Sequence, residues 1–221
     1  MVDDGHDGTA EAAVEEQWLR CALARDLDSG FAELTRVHSD VVHSVARNLT
    51  RPADAEDLAA EALLKAYRAL RGFDAARIGT LSIRPWLLTI LRNTARNAAR
   101  DAARRPGPPP AFEPSTEQTE PEPAAGPAER AERADTQRRL GALLAELPEA
   151  QRTAIVLRHV VDLPIGEIAE ILGCKDGTAK SHISRGLQRL RTLLTDTTTT
   201  ATVTVVGGTA QRVLRSGRTS R

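Results

Sequence analysis

Four arginines, Arg92, Arg96, Arg100 and Arg104, recur every four residues, and on a helix that spacing draws one gently drifting cationic stripe. Only Asp101 interrupts the positive charge nearby, and Asn93 and Asn97 lie one turn apart beside the stripe. Like charges so placed repel one another by a few tenths of a kcal/mol per pair, roughly, and a phosphate backbone would offset that repulsion. The amides could hydrogen-bond exposed bases. A solvated charged face is the plain alternative. A second polar set, Thr178, Lys180, Ser181, His182, Ser184, Arg185 and Arg189, has the residue types that contact phosphates and base edges in a major groove. A third is acidic: Asp54, Glu56, Asp57 and Glu61, running on into Lys65 and Arg68. Paired carboxylates can do acid–base work only in a pocket that perturbs their pKa values, and a short amphipathic helix gives a partner-facing or solvated surface instead. The five histidines have no metal-ligand spacing, and no P-loop, GxSxG or HExxH is present. No catalytic constellation, metal site or cofactor site is expected.

The elements that must carry these sets read as helices. Phe31, Leu34, Val41, Val45 and Leu49 share one face, and Arg51-Pro52 ends that helix. Asp54 is placed to N-cap the next, with Asp57 three residues on; Leu58, Ala62, Ala66 and Leu70 form its stripe up to Gly72. Pro85 sits in the first turn of a further helix that points Trp86, Leu87, Ile90, Leu91, Ala95 and Ala98 inward. A second block has Leu140, Leu143, Leu144 and Leu147 on one face up to Pro148, then Ala150, Ala154, Leu157 and Val161 up to Asp162-Leu163-Pro164. Its last two helices carry a helix-turn-helix pattern. In Glu167-Ile168-Ala169-Glu170-Ile171-Leu172-Gly173, Ala169 permits close approach and Gly173 can turn through the left-handed region. Ile168, Leu172, Ala179, Ile183, Leu187 and Leu190 supply the shared core.

Between the blocks lie eight of the chain's twelve prolines, from Pro106 to Pro127, with scattered Glu. Proline breaks helices, so this stretch reads as a flexible Pro/Glu-rich linker, with helix propensity recovering from about Ala128. The fold class is all-α, two small helical domains on a tether. The divisions are an acidic N-terminal segment 1–25, a first domain 26–105, the linker 106–135, a second domain 136–195 and a disordered Thr-rich tail 196–221.

Composition agrees. Of 221 residues 41% are hydrophobic but only 3% aromatic, an Ala- and Leu-rich balance that favours helices. The formal net charge of zero conceals alternation: −6 over 1–30, +5 over 31–105, −5 over 106–135, +3 over 136–195 and +3 beyond. Two basic helical blocks around an acidic one point to a polyanion partner. Cys21 and Cys174 lie far apart with no CxxC, which argues against a disulfide framework or zinc. The acidic start is the reverse of a signal peptide, and no run nears the ~18 apolar residues of a membrane span, so a cytoplasmic protein without membrane insertion is expected.

Taken together these residues resemble the two domains of extracytoplasmic-function sigma factors, the small group of the sigma-70 superfamily. The first match includes Asp54-Ala55-Glu56-Asp57-Leu58-Ala59-Ala60-Glu61-Ala62, Tyr67-Arg68-Ala69-Leu70 and Trp86-Leu87-Leu88-Thr89-Ile90-Leu91-Arg92-Asn93, ending at Arg104-Arg105. The second includes Leu147-Pro148, the Glu167–Gly173 run, Gly177-Thr178-Ala179-Lys180-Ser181-His182 and Arg189-Leu190-Arg191. The resemblance implies a non-enzymatic subunit that binds core RNA polymerase and directs promoter-specific initiation. It implies that Asp54, Asp57, Glu61 and Arg68 dock on the β′ clamp, and that leucine-rich surfaces of the second block meet the β flap. Arg92, Asn93, Arg96, Asn97 and Arg100 would engage the −10 element, Asn93 near a flipped base whose extrusion costs a few kcal/mol and which pockets near Phe73 to Pro85 would compensate. Thr178, Lys180, Ser181, His182, Ser184 and Arg185 would read the −35 element. An anti-sigma protein wedged between the domains is the further partner implied. The chain departs from the family's habit at Ala60, where Gln is usual, at His182, where Arg is more common, and in having few aromatics to stack on melted bases.

Two other readings use the same residues. A stand-alone helix-turn-helix regulator would dimerise on paired half-sites; the Asp54–Glu61 cluster beside Tyr67-Arg68 favours the sigma reading. A helical hydrolase would need a carboxylate or histidine cluster that the spacing does not provide.

Overall fold

In the computed structural model, residues 7–104 and 126–213 are described, and among them every regular element is helical. The first bundle comprises α1 (Asp7–Arg25), α2 (Leu27–Leu49), a 3-10 turn (Pro52–Asp54), α3 (Ala55–Leu70), α4 (Ala75–Gly79) and α5 (Ile83–Arg104). The second comprises α6 (Pro127–Ala145), α7 (Glu149–His159), α8 (Ile165–Leu172) and α9 (Asp176–Val213).

Local chemistry sets the boundaries. Asp26 caps α2, its carboxylate accepting from the Ser29 N–H at 3.3 Å, and those hydrogen bonds hold it below the usual carboxylate range. Asp74 caps α4 by accepting from the Arg77 N–H at 2.8 Å. Asp54 precedes α3 but its side chain makes no cap; Arg51 takes the carboxylate instead, at 2.8 and 3.1 Å. A fork of two guanidinium donors on one carboxylate outcompetes a neutral backbone N–H. Gly173 ends α8 with φ of 65°, the conformation expected of it.

The stripe Leu58, Ala62, Ala66 and Leu70 is buried throughout, and Leu34 and Val45 are buried on α2. The inward face of α5 holds Leu87 and Leu91, but Ala98 is exposed, while Leu88 and Thr94 are buried. The bundle covers only the first three turns of α5, so the periodic pattern outlives the core that it faces. Leu144 and Leu147 are buried in the second bundle, whereas Leu140 is half exposed.

The helices cross three of the expected divisions. The segment 1–25 is not separate from the first domain: its described part is α1, whose Leu19 and Leu23 are fully buried against α2. Alternating acids and apolar residues hide that face, and α2 reaches it through Gly30, where a Cβ would sit 2.5 Å from the Leu23 nitrogen. The linker ends earlier than residue 135, because Pro127 starts α6 in the first-turn position where proline costs no hydrogen bond. Its stretch 105–125 lies outside the described residues. The tail is helical to Val213 as a continuation of α9. Once a helix is nucleated, each further residue adds a hydrogen bond, and threonine's low propensity does not break it. Residues 214–221 lie outside the described set.

The two bundles meet directly. Helix α5 packs on α8, and α2 packs on α7. Across this seam Arg84 donates to the Val161 carbonyl at 2.9 Å, and Arg92 pairs with Glu149 at 2.9 Å.

Candidate nucleic-acid and partner interfaces

The basic helix α5 is anchored at its start by α1. The Glu16 carboxylate accepts from the Ile83 N–H, an N-cap supplied from 67 residues away, and Arg20 donates to the Leu81 carbonyl at 3.1 Å. Phe73 and Trp86 stack at a tilt with ring centroids 5.9 Å apart, and the Arg77 guanidinium lies 3.7 Å over Phe73. Those side chains form an aromatic and cationic shelf in the region where a base pocket was expected. Further along, buried Thr94 accepts from Lys65 Nζ at 3.4 Å, tying α5 to α3.

From that anchor the stripe divides. Asn93, Arg96, Asn97, Arg100 and Arg104 are exposed, and Arg104 makes only a long 3.9 Å pair with Asp101. Arg92 faces the second bundle, with 11% of its side chain exposed. Its Nε donates to Glu149 and its Nη1 to the Ile171 carbonyl at 3.3 Å.

The helix-turn-helix is α8 and α9. Ile168, Ala169, Ala179, Ile183 and Leu190 are buried, and Leu172 and Leu187 pack against them. Thr178, Lys180, Ser181, Ser184, Arg185 and Arg189 are exposed on α9. His182 is half-buried, and the Ser181 hydroxyl donates back to the Gly177 carbonyl at 2.8 Å. Gly186 lets α7 approach α9, since a Cβ there would meet Ile155 Cδ1 at 2.6 Å.

On α3, Asp57, Glu61 and Arg68 are exposed and Asp54 is half-buried; Glu61 pairs with Lys65 at 2.7 Å. Tyr67 fixes the helix from the other side, donating to Asp28 at 2.6 Å and meeting Phe31 edge-on with centroids 5.2 Å apart. The Asp28 carboxylate holds the Tyr67 hydroxyl above its ordinary pKa.

Several residues were not singled out from sequence. Leu64, nearly half exposed, continues the run Asp57, Glu61, Arg68 at helical spacing, and its signal was an apolar residue off the buried stripe. Arg158 is another, joining Lys180 and Arg191 around an open cleft of about 340 Å³ beside α9. Glu149, in the first turn of α7, had no signal at all, because its partner Arg92 is 57 residues away. Among the described residues no three His, Cys, Asp or Glu side chains gather as a metal site, and no helix is long and apolar enough to cross a membrane.

Residues 34–105 match the family model for sigma-70 region 2, and residues 137–190 match that for sigma-70 region 4. The chain is 34% identical over 141 residues to the RNA polymerase sigma-H factor of Pseudomonas aeruginosa, covering 62% of this chain and 71% of that one. It is 32% identical over 155 residues to the ECF RNA polymerase sigma-E factor of Escherichia coli, covering 67% and 79%. Its fold is similar to that of RpoE from Bartonella quintana, solved in complex with the anti-sigma factor NepR: TM-score 0.55, 26% identity, 75% of this chain and 96% of that one. CnrH, in complex with the cytosolic domain of CnrY, has the same fold at TM-score 0.60 and 23% identity, over 82% of this chain and 98% of that one.

Proposed function

This chain belongs to the extracytoplasmic-function sigma factors of the sigma-70 family, and from that membership we infer which of its side chains do the family's work. As a sigma factor it binds core RNA polymerase and directs promoter-specific initiation through −10 and −35 elements.

The −35 reader is α9. Its exposed Thr178, Lys180, Ser181, Ser184 and Arg185 lie on the side of the helix-turn-helix away from the core, where a major groove can receive them. Half-buried His182 offers one edge to that groove. Lys180, with Arg158 and Arg191 around the adjoining cleft, brings positive charge to the flanking phosphates. The −10 reader is α5, with Arg96 and Arg100 on phosphate, Asn93 and Asn97 on base edges, and Arg92 completing the stripe. The clamp-docking face is on α3: Asp54, Asp57, Glu61 and Arg68, with Leu64 as an apolar contact among charges. Such a mixed stripe suits a coiled-coil partner, where charged pairs set register around an apolar seam. Polymerase performs the synthesis, so the role of this chain is regulatory and non-enzymatic, and it works in the cytoplasm. An anti-sigma protein wedged between the two domains is the expected antagonist; RpoE from Bartonella quintana is solved in complex with the anti-sigma factor NepR.

The observation that carries this reading is the ordered pair, a region 2 match and then a region 4 match, with the cationic residues of each on helix faces. Run-off transcription with purified core polymerase on a promoter library tests it. Initiation at a defined set of promoters that core alone ignores is the expected result. A stand-alone regulator would bind DNA without core and add no start sites.

A further inference from the structure

Arg92 is the covered member of an otherwise exposed α5 stripe, and what covers it is anionic oxygen. Its guanidinium donates to the Glu149 carboxylate at 2.9 Å and to the Ile171 carbonyl at 3.3 Å. A phosphodiester offers a guanidinium the same thing, an anionic oxygen with a second acceptor beside it. We propose that Glu149 is a built-in phosphate mimic: in the resting chain region 4 occupies Arg92, and promoter DNA must displace it to reach the first turns of the −10 helix. This rests on the assignment of Arg92 to the −10 face.

The seam around this contact is made to part. Apolar side chains of both bundles join in one core, but several polar groups at the seam are poorly served. Arg84 reaches the Val161 carbonyl, yet its Nε has no partner among the described residues, nor do His38 Nε2 and Arg152 Nε. Burial depresses the Arg152 pKa, and that guanidinium lines an interdomain cavity of about 200 Å³ together with Arg47 and Arg51. Permanent interfaces leave few polar atoms unsatisfied, whereas one that buries guanidinium nitrogens without acceptors separates at smaller cost. The −35 face, by contrast, stays open in the same arrangement, with Lys180, Ser184 and Arg185 exposed. The closed chain therefore withholds one DNA-binding helix and presents the other.

The test uses the full chain with spin labels on native Cys21, exposed on α1, and on Gln188→Cys, exposed on α9, in a Cys174→Ser background. The wild-type seam predicts one narrow distance population. Glu149→Arg, which sets two cations together, is expected to multiply the open population by about fivefold or more, the effect of roughly one lost ion pair. Arg92→Glu combined with Glu149→Arg is expected to restore the narrow population. A broad wild-type distribution, or a double swap that stays open, overturns the proposal. Binding of a mixed-sequence single-stranded oligonucleotide gives an independent readout. Glu149→Gln should bind more tightly, and the slope of log K against log salt should steepen by about 0.7 as one more phosphate is engaged. Glu146→Gln, the same charge change on an exposed residue, should leave the slope alone. Equal shifts in both variants would mean that only net charge matters, and the mimicry would fail. Failure of the Arg92 assignment is read separately: run-off transcription unaffected by Arg92→Ala sinks that assignment, while the distances still decide the seam.

Discussion

At the scale of single residues, exposure separates the side chains that can meet DNA from those that only resemble readers. Arg185 is exposed on α9 and pairs with no carboxylate among the described residues, so its fork is available for a bidentate contact to guanine. Arg185→Ala should weaken holoenzyme binding to a cognate promoter by about 1–3 kcal/mol and relax preference at one −35 position. A promoter-library profile identical to wild type would remove Arg185 from the reading set. Ser181 is less available, since its hydroxyl already bonds back to Gly177. Residue type alone groups the two together, because it does not reveal what a hydroxyl has already bound.

At the scale of elements, two helices depend on features that periodicity describes poorly. Helix α1 is held by a close backbone approach at Gly30 and by buried Leu19 and Leu23. Gly30→Ala would improve intrinsic helix propensity by about 1 kcal/mol, yet its methyl would collide with the α1 backbone, which cannot rotate away as a side chain can. The collision should win, lowering thermal stability and exposing α1 to proteolysis; an unchanged melting temperature would show that α1 is a loose appendage. Because Glu16 caps α5, displacement of α1 should also loosen the start of α5. On α3, Leu64→Glu adds a charge to an already solvated position, so folding should hold while association with core polymerase falls at least tenfold. Equal binding by pull-down would mean that the docking face lies elsewhere. The buried stripe of α3 was legible from spacing alone, but Leu64 was not, since its value lies in being apolar where the core does not need it.

For the molecule as a whole, the seam between the bundles makes stability respond to pH. His38 on α2 is pushed down to about 4, first by desolvation and then by the Arg84 charge across from it. Its ordinary value is near 6.5, so the unfolded chain binds more protons than the folded one between those values. The contribution of neutral His38 is complete above about pH 6.5 and is lost as pH falls through 4, up to roughly 3 kcal/mol. The urea midpoint should therefore drop between pH 7 and pH 4, and His38→Gln should flatten that drop. Glu167, raised by burial, acts in the opposite sense, losing its contribution as pH rises, so the difference between wild type and variant isolates the histidine. An equally steep fall in the variant would assign the pH response to other groups.

What the sequence by itself determined is what repeats locally. Apolar spacing located the helices, Gly173 the turn between α8 and α9, and the run from Glu167 to Arg191 the helix-turn-helix, because helix formation and tight turns are governed by residues within a few positions of one another. Only the tertiary structure decided that α1 belongs to the first bundle, that Arg51 rather than a cap holds Asp54, and that Arg92 meets Glu149 and Ile171. Each of these depends on which surfaces end up face to face. The pairing of a guanidinium with a carboxylate 57 residues away is fixed by packing geometry, and no local period encodes it.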